Sequence, residues 1–149
     1  MAEAGFGVCN GGYGGTMEAS ARGAREAGGH TIGITNAVFD PKPANAYIVE
    51  ERKAPDFFER LRLLLTLGDA YICLPGSVGA LTEFSLAWTL MQTEALPRRP
   101  FICVGDGWRG VLDAYRAHLA VRPKDFGRIT LVSGVDDAVA ALRAALGEQ

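Results

Sequence analysis

Twice in this chain a short apolar run stops at a cluster of glycines and restarts with helical spacing, in "FGVCNGGYGGTMEA" (6–19) and "YICLPGSVGALTEFSLAW" (71–88). A strand that feeds directly into a helix cannot return through a hairpin, so it must cross over to a parallel neighbour. The rest of the sequence repeats that alternation. Strand-like runs are expected at 6–9, 31–34, 47–49, 70–74, 101–104 and 129–132, and helical patterns at 16–27, 56–67, 78–94, 108–120 and 135–147. The strands read as continuous rather than alternating apolar runs, which is the signature of a parallel sheet covered on both faces. The expected fold is therefore α/β, a Rossmann-like three-layer arrangement with a mostly parallel sheet between helices, formed as one domain over 1–149. "TNAVFDPKPANA" is the one irregular connection, and its Pro41 and Pro43 suggest a loop over the sheet edge.

Composition narrows the function. Apolar residues make up 48% and charged residues 21%, with a formal net charge of −2; a general nucleic-acid binder would carry a basic footprint, so any anionic ligand must be held locally. No stretch is long and apolar enough for a membrane span, and the start, "MAEAGFGVCNGG", has neither a basic nor a long apolar leader segment. A cytoplasmic protein is expected. Cys9, Cys73 and Cys103 are odd in number, far apart and set in apolar runs. They read as reduced buried thiols, with no metal site expected.

In an α/β sheet, ligands bind beyond the carboxyl ends of the strands, where loops run into helix N-termini. Both glycine loops lie there. Gly11, Gly12, Gly14, Gly15 and Thr16 in the first, and Pro75, Gly76, Ser77, Val78, Gly79 and Ala80 in the second, can bring backbone N–H groups to a phosphate. Neither loop is a dinucleotide or P-loop fingerprint, having no GxGxxG in register and no GK[ST]. Ser77 sits at a strand-to-helix turn, but Pro75 replaces the glycine of a nucleophile elbow, and only His30 and His118 could serve as base.

Two charges stand out by phase. At about 100° per residue, Phe57, Phe58, Leu61, Leu64, Leu65 and Leu67 share a face of "FFERLRLLLTL" that includes Arg60, while Arg62 points away. A buried arginine needs a carboxylate, a carbonyl or a ligand. Likewise Glu83 projects away from the polar stripe of Thr82, Ser85, Thr89 and Gln92.

"PGSVGALTE" resembles the PGGxGTxxE motif of the Lonely Guy (LOG) family, often called lysine decarboxylases, and "GGYGGTMEA" looks like that family's upstream glycine loop. The family's helical arginine fifteen residues before the motif proline falls on Arg60 here. The resemblance spans nearly the whole chain. It implies a phosphoribohydrolase that cleaves a nucleoside 5′-monophosphate, such as AMP, to free base and ribose 5-phosphate. Arg60 and Glu83 would be its catalytic pair, the loop from Pro75 to Ala80 its phosphate site, and no cofactor would be needed. The chain departs from the motif at Ser77, where the family has glycine, and at Ala80, where it has threonine. Family members also begin with a further strand, loop and helix, of which this sequence opens at the end. A rearranged sheet, a partner chain or a longer natural chain would each answer that. The rival expectation is a non-catalytic nucleotide or phosphorylated-cofactor carrier. A pyridoxal decarboxylase is not expected, because Lys42, Lys53 and Lys124 all lie in polar, loop-like or helix-edge stretches.

The resemblance also implies a homodimer. Leu81, Phe84, Leu86, Trp88, Leu90 and Met91 spread over more of helix 78–94 than one core-facing stripe needs. Leu86 and Leu90 are expected to form the contact, unless helix 108–120, with Val111, Leu112 and Tyr115, covers them.

Overall fold

The computed structural model describes residues 1–147; Glu148 and Gln149, at the end of the expected domain 1–149, lie outside the described residues. The backbone divides into two compact units, Met1–Gly68 and the stretch from Asp69 onward. Each is built on its own three-stranded sheet, with strands in sequence order. All pairings are parallel, as the alternation requires, but the strands hydrogen-bond as two sheets of three rather than as one.

In the first unit β1 (Val8–Asn10) crosses through α1 (Thr16–Glu26) to β2 (Thr31–Asn36), which pairs with β3 (Glu50–Ala54) ahead of α2 (Phe57–Leu67). Ala21 and Ala24, three residues apart on α1, are buried with Ile34 of β2, Ala54 of β3 and Leu65 of α2. Successive residues Ile34, Thr35 and Asn36 are all buried, so both faces of β2 are covered. Asp56 caps α2, its carboxylate accepting from the Glu59 N–H at 2.8 Å.

The third strand was expected at 47–49 and lies instead at Glu50–Ala54. Its sequence, "EERKA", has little apolar content because it is an edge strand that alternates outward charges with inward side chains. Tyr47–Val49 runs beside the start of β2 and is tied to it at Thr31: the Val49 N–H donates to Thr31 O at 3.2 Å and to Thr31 Oγ1 at 3.0 Å, and that hydroxyl donates to Tyr47 O at 2.6 Å. Ile48 packs against Gly33, where a Cβ would meet its side chain at 2.9 Å.

In the second unit β4 (Tyr71–Cys73) crosses through α3 (Val78–Gln92) to β5 (Phe101–Val104). That strand crosses through α4 (Asp106–His118) and the short α5 (Pro123–Phe126) to β6 (Thr130–Val132), and α6 (Val135–Leu146) follows. Two successive right-handed crossovers in one direction place α3 and α4 on the same face. Accordingly Phe84 of α3 meets Trp108 of α4 at 4.7 Å between centroids, and Trp88 stacks on Tyr115 at 6.0 Å. Phe84 is fully buried, a contribution of about 2–3 kcal/mol from area alone. On β5 and β6 packs α6, through Ala138 and Leu142.

Two helical expectations are corrected. Phe57 and Phe58 belong to the expected buried arc of α2, yet they are 44% and 85% exposed, and Phe57 meets the Phe39 ring edge-on at 5.3 Å between centroids. The stripe of Thr82, Ser85, Thr89 and Gln92 is not uniformly solvent-facing. Thr82 and Thr89 are exposed, whereas Ser85 meets the Tyr115 hydroxyl at 3.2 Å and Gln92 donates to Asp125 at 2.9 Å. The α5 segment supplies that buried carboxylate, which also accepts from Arg122 Nε at 2.8 Å. Leu86 and Leu90 are half-buried within the single chain rather than exposed.

Candidate active site

The glycine loop of the first unit joins β1 to α1 and is held by side chains on every peptide from Gly11 to Tyr13. Arg60 reaches from α2, donating through Nε to Ile34 O at 2.8 Å and through Nη2 to Gly11 O at 3.2 Å. Both carbonyls stand at or near the carboxyl ends of their strands. The helical phase read from the sequence therefore holds: Arg60 is 8% exposed, and Arg62 is exposed and paired with Glu59. A Cβ at Gly11 would collide with the Arg60 guanidinium, so the glycine is needed for the arginine to enter. Gly12 takes φ +77°, and a Cβ there would meet Thr35 Cγ2 at 3.0 Å.

Around these two, Asn10 Oδ1 accepts from Gly12 N at 2.8 Å, and Asn10 Nδ2 donates to Met17 O at 2.8 Å. The Tyr13 hydroxyl accepts from Asn36 N at 2.9 Å. Lys42 Nζ lies 5.1 Å and the Arg60 guanidinium carbon 5.9 Å from the Tyr13 ring centroid. Gly11, Gly12 and Tyr13 are buried, whereas Gly14, Gly15 and Thr16, the first residue of α1, are exposed.

In the second unit Pro75 to Gly79 are exposed and Ala80 is half-buried. Trp108 Nε1 donates to Leu74 O at 3.1 Å, anchoring the strand end from which the loop departs. Ser77 is the N-cap of α3, but its side chain makes no cap bond. A Cβ at Gly76 would lie 2.7 Å from that of Ala80, so any side chain at position 80 calls for glycine at 76. Glu83 is half-buried one turn further. Cys73 and Cys103 are register partners at the ends of β4 and β5. The Cys73 thiol is pushed up by its hydrogen bond with Cys103, by burial and by the charges of Cys103 and Glu83, which puts that carboxylate near the end of β4. Cys9, on β1, is pushed up to about 11 by burial.

The structure thus joins Arg60 to Gly11 in the first unit and sets Glu83 beyond the Pro75–Ala80 turn in the second. Sequence reasoning missed Asn10, Tyr13, Asn36 and Asn45; the Asn-Gly pair at 10–11 was the one local signal that a side chain shapes the loop. Among the described residues no group of three or more His, Cys, Asp or Glu could hold a metal ion, and no helix is long and apolar enough to cross a membrane.

Parallel strands leading through glycine loops into helices define a Rossmann-like α/β protein. Solved structures of that fold match closely. One is the molybdenum cofactor carrier protein from Chlamydomonas reinhardtii, with a TM-score of 0.73 and 20% identity over 97% of this chain and 80% of that one. Another is the molybdenum cofactor binding protein of Rippkaea orientalis, at 0.75 and 21% over 98% and 81%. Residues 17–144 match the family described as "Possible lysine decarboxylase". Two relatives are named cytokinin riboside 5′-monophosphate phosphoribohydrolase. That of Rhodococcoides fascians is 31% identical over 87% of this chain and 68% of its own length. That of Mycobacterium tuberculosis (strain ATCC 25618 / H37Rv) is 33% identical over 90% and 74%. The chain belongs to the LOG family.

Proposed function

We propose that the protein is a phosphoribohydrolase that hydrolyses the N-glycosidic bond of a nucleoside 5′-monophosphate, AMP or an AMP-like nucleotide, to free base and ribose 5-phosphate. The observation that carries this reading is the presence of Arg60 and Glu83 at the motif positions in a chain 31% and 33% identical to two phosphoribohydrolases. In the second unit, the N–H groups of Gly76 to Ala80 at the start of α3 take the 5′-phosphate. Glu83 stabilises the oxocarbenium-like sugar and orients the water whose oxygen bonds to C1′ as the base departs with a proton. In the first unit, Arg60 fixes the glycine loop through the Gly11 carbonyl, and the loop's exposed end at Gly14, Gly15 and Thr16 carries N–H groups of the kind that suit an anion. A lysine decarboxylase using pyridoxal chemistry would need an uncharged nucleophilic lysine. Lys53 instead pairs with Asp40 at 2.7 Å, which raises its pKa.

Incubation with AMP, followed by chromatography of released adenine, tests the reading directly. Glu83→Gln is expected to abolish base release while leaving AMP binding largely intact. Equal turnover in that variant, or no base from any nucleoside monophosphate with folded protein, overturns it. A carrier without turnover is the second reading, favoured by Ser77 and Ala80 in place of the motif glycine and threonine. It predicts AMP binding with no adenine released.

The reading includes a homodimer built on α3, which buries Phe84, Ala87, Trp88 and Met91 yet keeps half-exposed leucines at 86 and 90. Light scattering at micromolar concentration should give twice the chain mass, and Leu90→Asp should return the monomer; a monomeric wild type removes the dimer. Three cysteines free of disulfides suit a cytoplasmic location.

A further inference from the structure

We propose that Cys73 and Cys103, at the ends of β4 and β5, are a site of reversible disulfide formation by small-molecule disulfides, and that closing the bond disturbs the turn that leads to Glu83. The two are register partners on adjacent parallel strands, so their side chains leave the sheet on one face. Two residues earlier on that face, the register pair Tyr71 and Phe101 meets at 5.7 Å between ring centroids, so side chains here touch across the strands. The Cys73 and Cys103 thiols touch likewise, through a hydrogen bond. Phe101 packs in turn on Phe84 at 5.3 Å, which puts this face under α3, the helix that carries Glu83. Cys9 is the internal control, standing in the other unit with Ile32 as its register partner on β2.

Neighbouring strands run about 4.8 Å apart, within the Cα separation of about 4.4–6.8 Å that disulfides span, but a disulfide draws its Cβ atoms to about 3.5–4.5 Å. Side chains leaving one face in parallel start wider than that, so the bond must pull the strand ends together by several tenths of an ångström. The pull falls where the turn is rooted. Pro75 follows Cys73 by two residues, and between them Leu74 O is held by Trp108 Nε1. Strain of this kind makes a disulfide easy to reduce, and therefore reversible. Exposure fixes the order of events: Cys103 is fully buried and Cys73 half-buried, so Cys73 meets the oxidant. Its thiolate attacks one sulfur of a small disulfide such as oxidised glutathione, forming a mixed S–S bond and expelling a small thiolate, which takes up a proton. Cys103 then gives up its proton and attacks the Cys73 sulfur, expelling the second small thiol. Two protein thiols lose two electrons, and one small disulfide becomes two thiols. The hydrogen bond with Cys103, burial and the charges of Cys103 and Glu83 disfavour the Cys73 thiolate, so the bond forms over minutes to hours and faster as pH rises.

Mass spectrometry of the wild-type protein after anaerobic incubation with excess oxidised glutathione tests the site. The expected product has lost two hydrogen atoms, carries a Cys73–Cys103 cross-link, and still alkylates at Cys9 once unfolded; dithiothreitol should restore all three thiols. Folded protein with Cys73 and Cys103 both free, or with Cys73 held only as the glutathione mixed disulfide, overturns the proposal, as does a cross-link that forms only in urea. The effect on activity rests on the phosphoribohydrolase reading. Base release from AMP should fall on oxidation by about tenfold or more, since small displacements at a reacting site cost that much, and should return with dithiothreitol. Cys73→Ser should turn over AMP equally before and after the oxidant; should that variant not fold, recovery of the reduced wild type makes the same comparison. Cross-linked protein with wild-type turnover overturns the effect on the turn. If neither form releases base from any nucleoside monophosphate, the hydrolase reading fails while the cross-link, read by mass, stands. Calorimetry with inorganic phosphate then reads the turn: a weaker Kd in the cross-linked form supports the proposal, and an equal one overturns it.

Discussion

Arg60→Ala is the perturbation whose cost can be worked most directly from the structure. The side chain is 8% exposed and places charged donors on two carbonyls, Ile34 O and Gly11 O, in residues that are themselves buried. A hydrogen bond from a charged group contributes about 1.5–3 kcal/mol, and a buried acceptor stranded by truncation costs about 1–3 kcal/mol. Alanine is too short for either carbonyl, and water reaches a buried strand end poorly. The expected loss is about 3–5 kcal/mol, from two such acceptors stranded at once. In urea, with m about 1.5 kcal/mol/M, the midpoint should fall by roughly 2–3 M. Hydrogen exchange should locate the loss in β1 and β2. Arg60→Lys keeps the charge but not the fork that spans two acceptors, and should fall between alanine and wild type. Arg62→Ala is the control, since its exposed pair with Glu59 contributes less than about 1 kcal/mol. An Arg60→Ala protein within about 0.5 kcal/mol of wild type, or an Arg62→Ala protein damaged as much, refutes the clamp.

Other expectations concern the loops, the buried acid and the thiols. Gly12→Ala puts a Cβ on a φ of +77° and 3.0 Å from Thr35, and should lower stability by more than about 1 kcal/mol and weaken AMP binding; an unchanged melting curve would count against it. Asp125 is held below the usual carboxylate range, first by its hydrogen bond from Arg122 and further by the charges of Arg122, Arg128 and Lys124. A depressed folded pKa gives stability that is present above the unfolded value, near 3.9, and is lost as pH falls through the folded one. Asp125→Asn should therefore flatten the acid limb of the stability profile, and an identical limb would remove Asp125 from it. Because burial holds Cys9 near 11 and Cys73 is raised as well, both should alkylate with iodoacetamide at pH 8 far more slowly in native than in urea-unfolded protein, by mass spectrometry. Rapid native labelling of either would contradict that.

The sequence alone determined what depends on neighbours along the chain. The spacing of apolar residues located α1, α2, α3 and α6 to within a residue or two, and the glycine clusters identified where strands hand over to helices. Phase around α2 turned Arg60 inward and Arg62 outward, because both positions are read against the same few leucines. Pairing across the chain was a different matter. A charged edge strand such as "EERKA" carries no apolar period, and only its register with β2, Ile32 to Glu50 onward, makes it a strand. That Arg60 binds the Gly11 carbonyl was equally beyond local reading, since Gly11 lies 49 residues away. Asn45 reaches Gly12 across 33 residues, and a polar side chain in a loop can serve water, its own turn or a distant peptide with no difference in sequence pattern. Tertiary structure decided these contacts because a buried backbone group must find a partner wherever the fold brings one within reach.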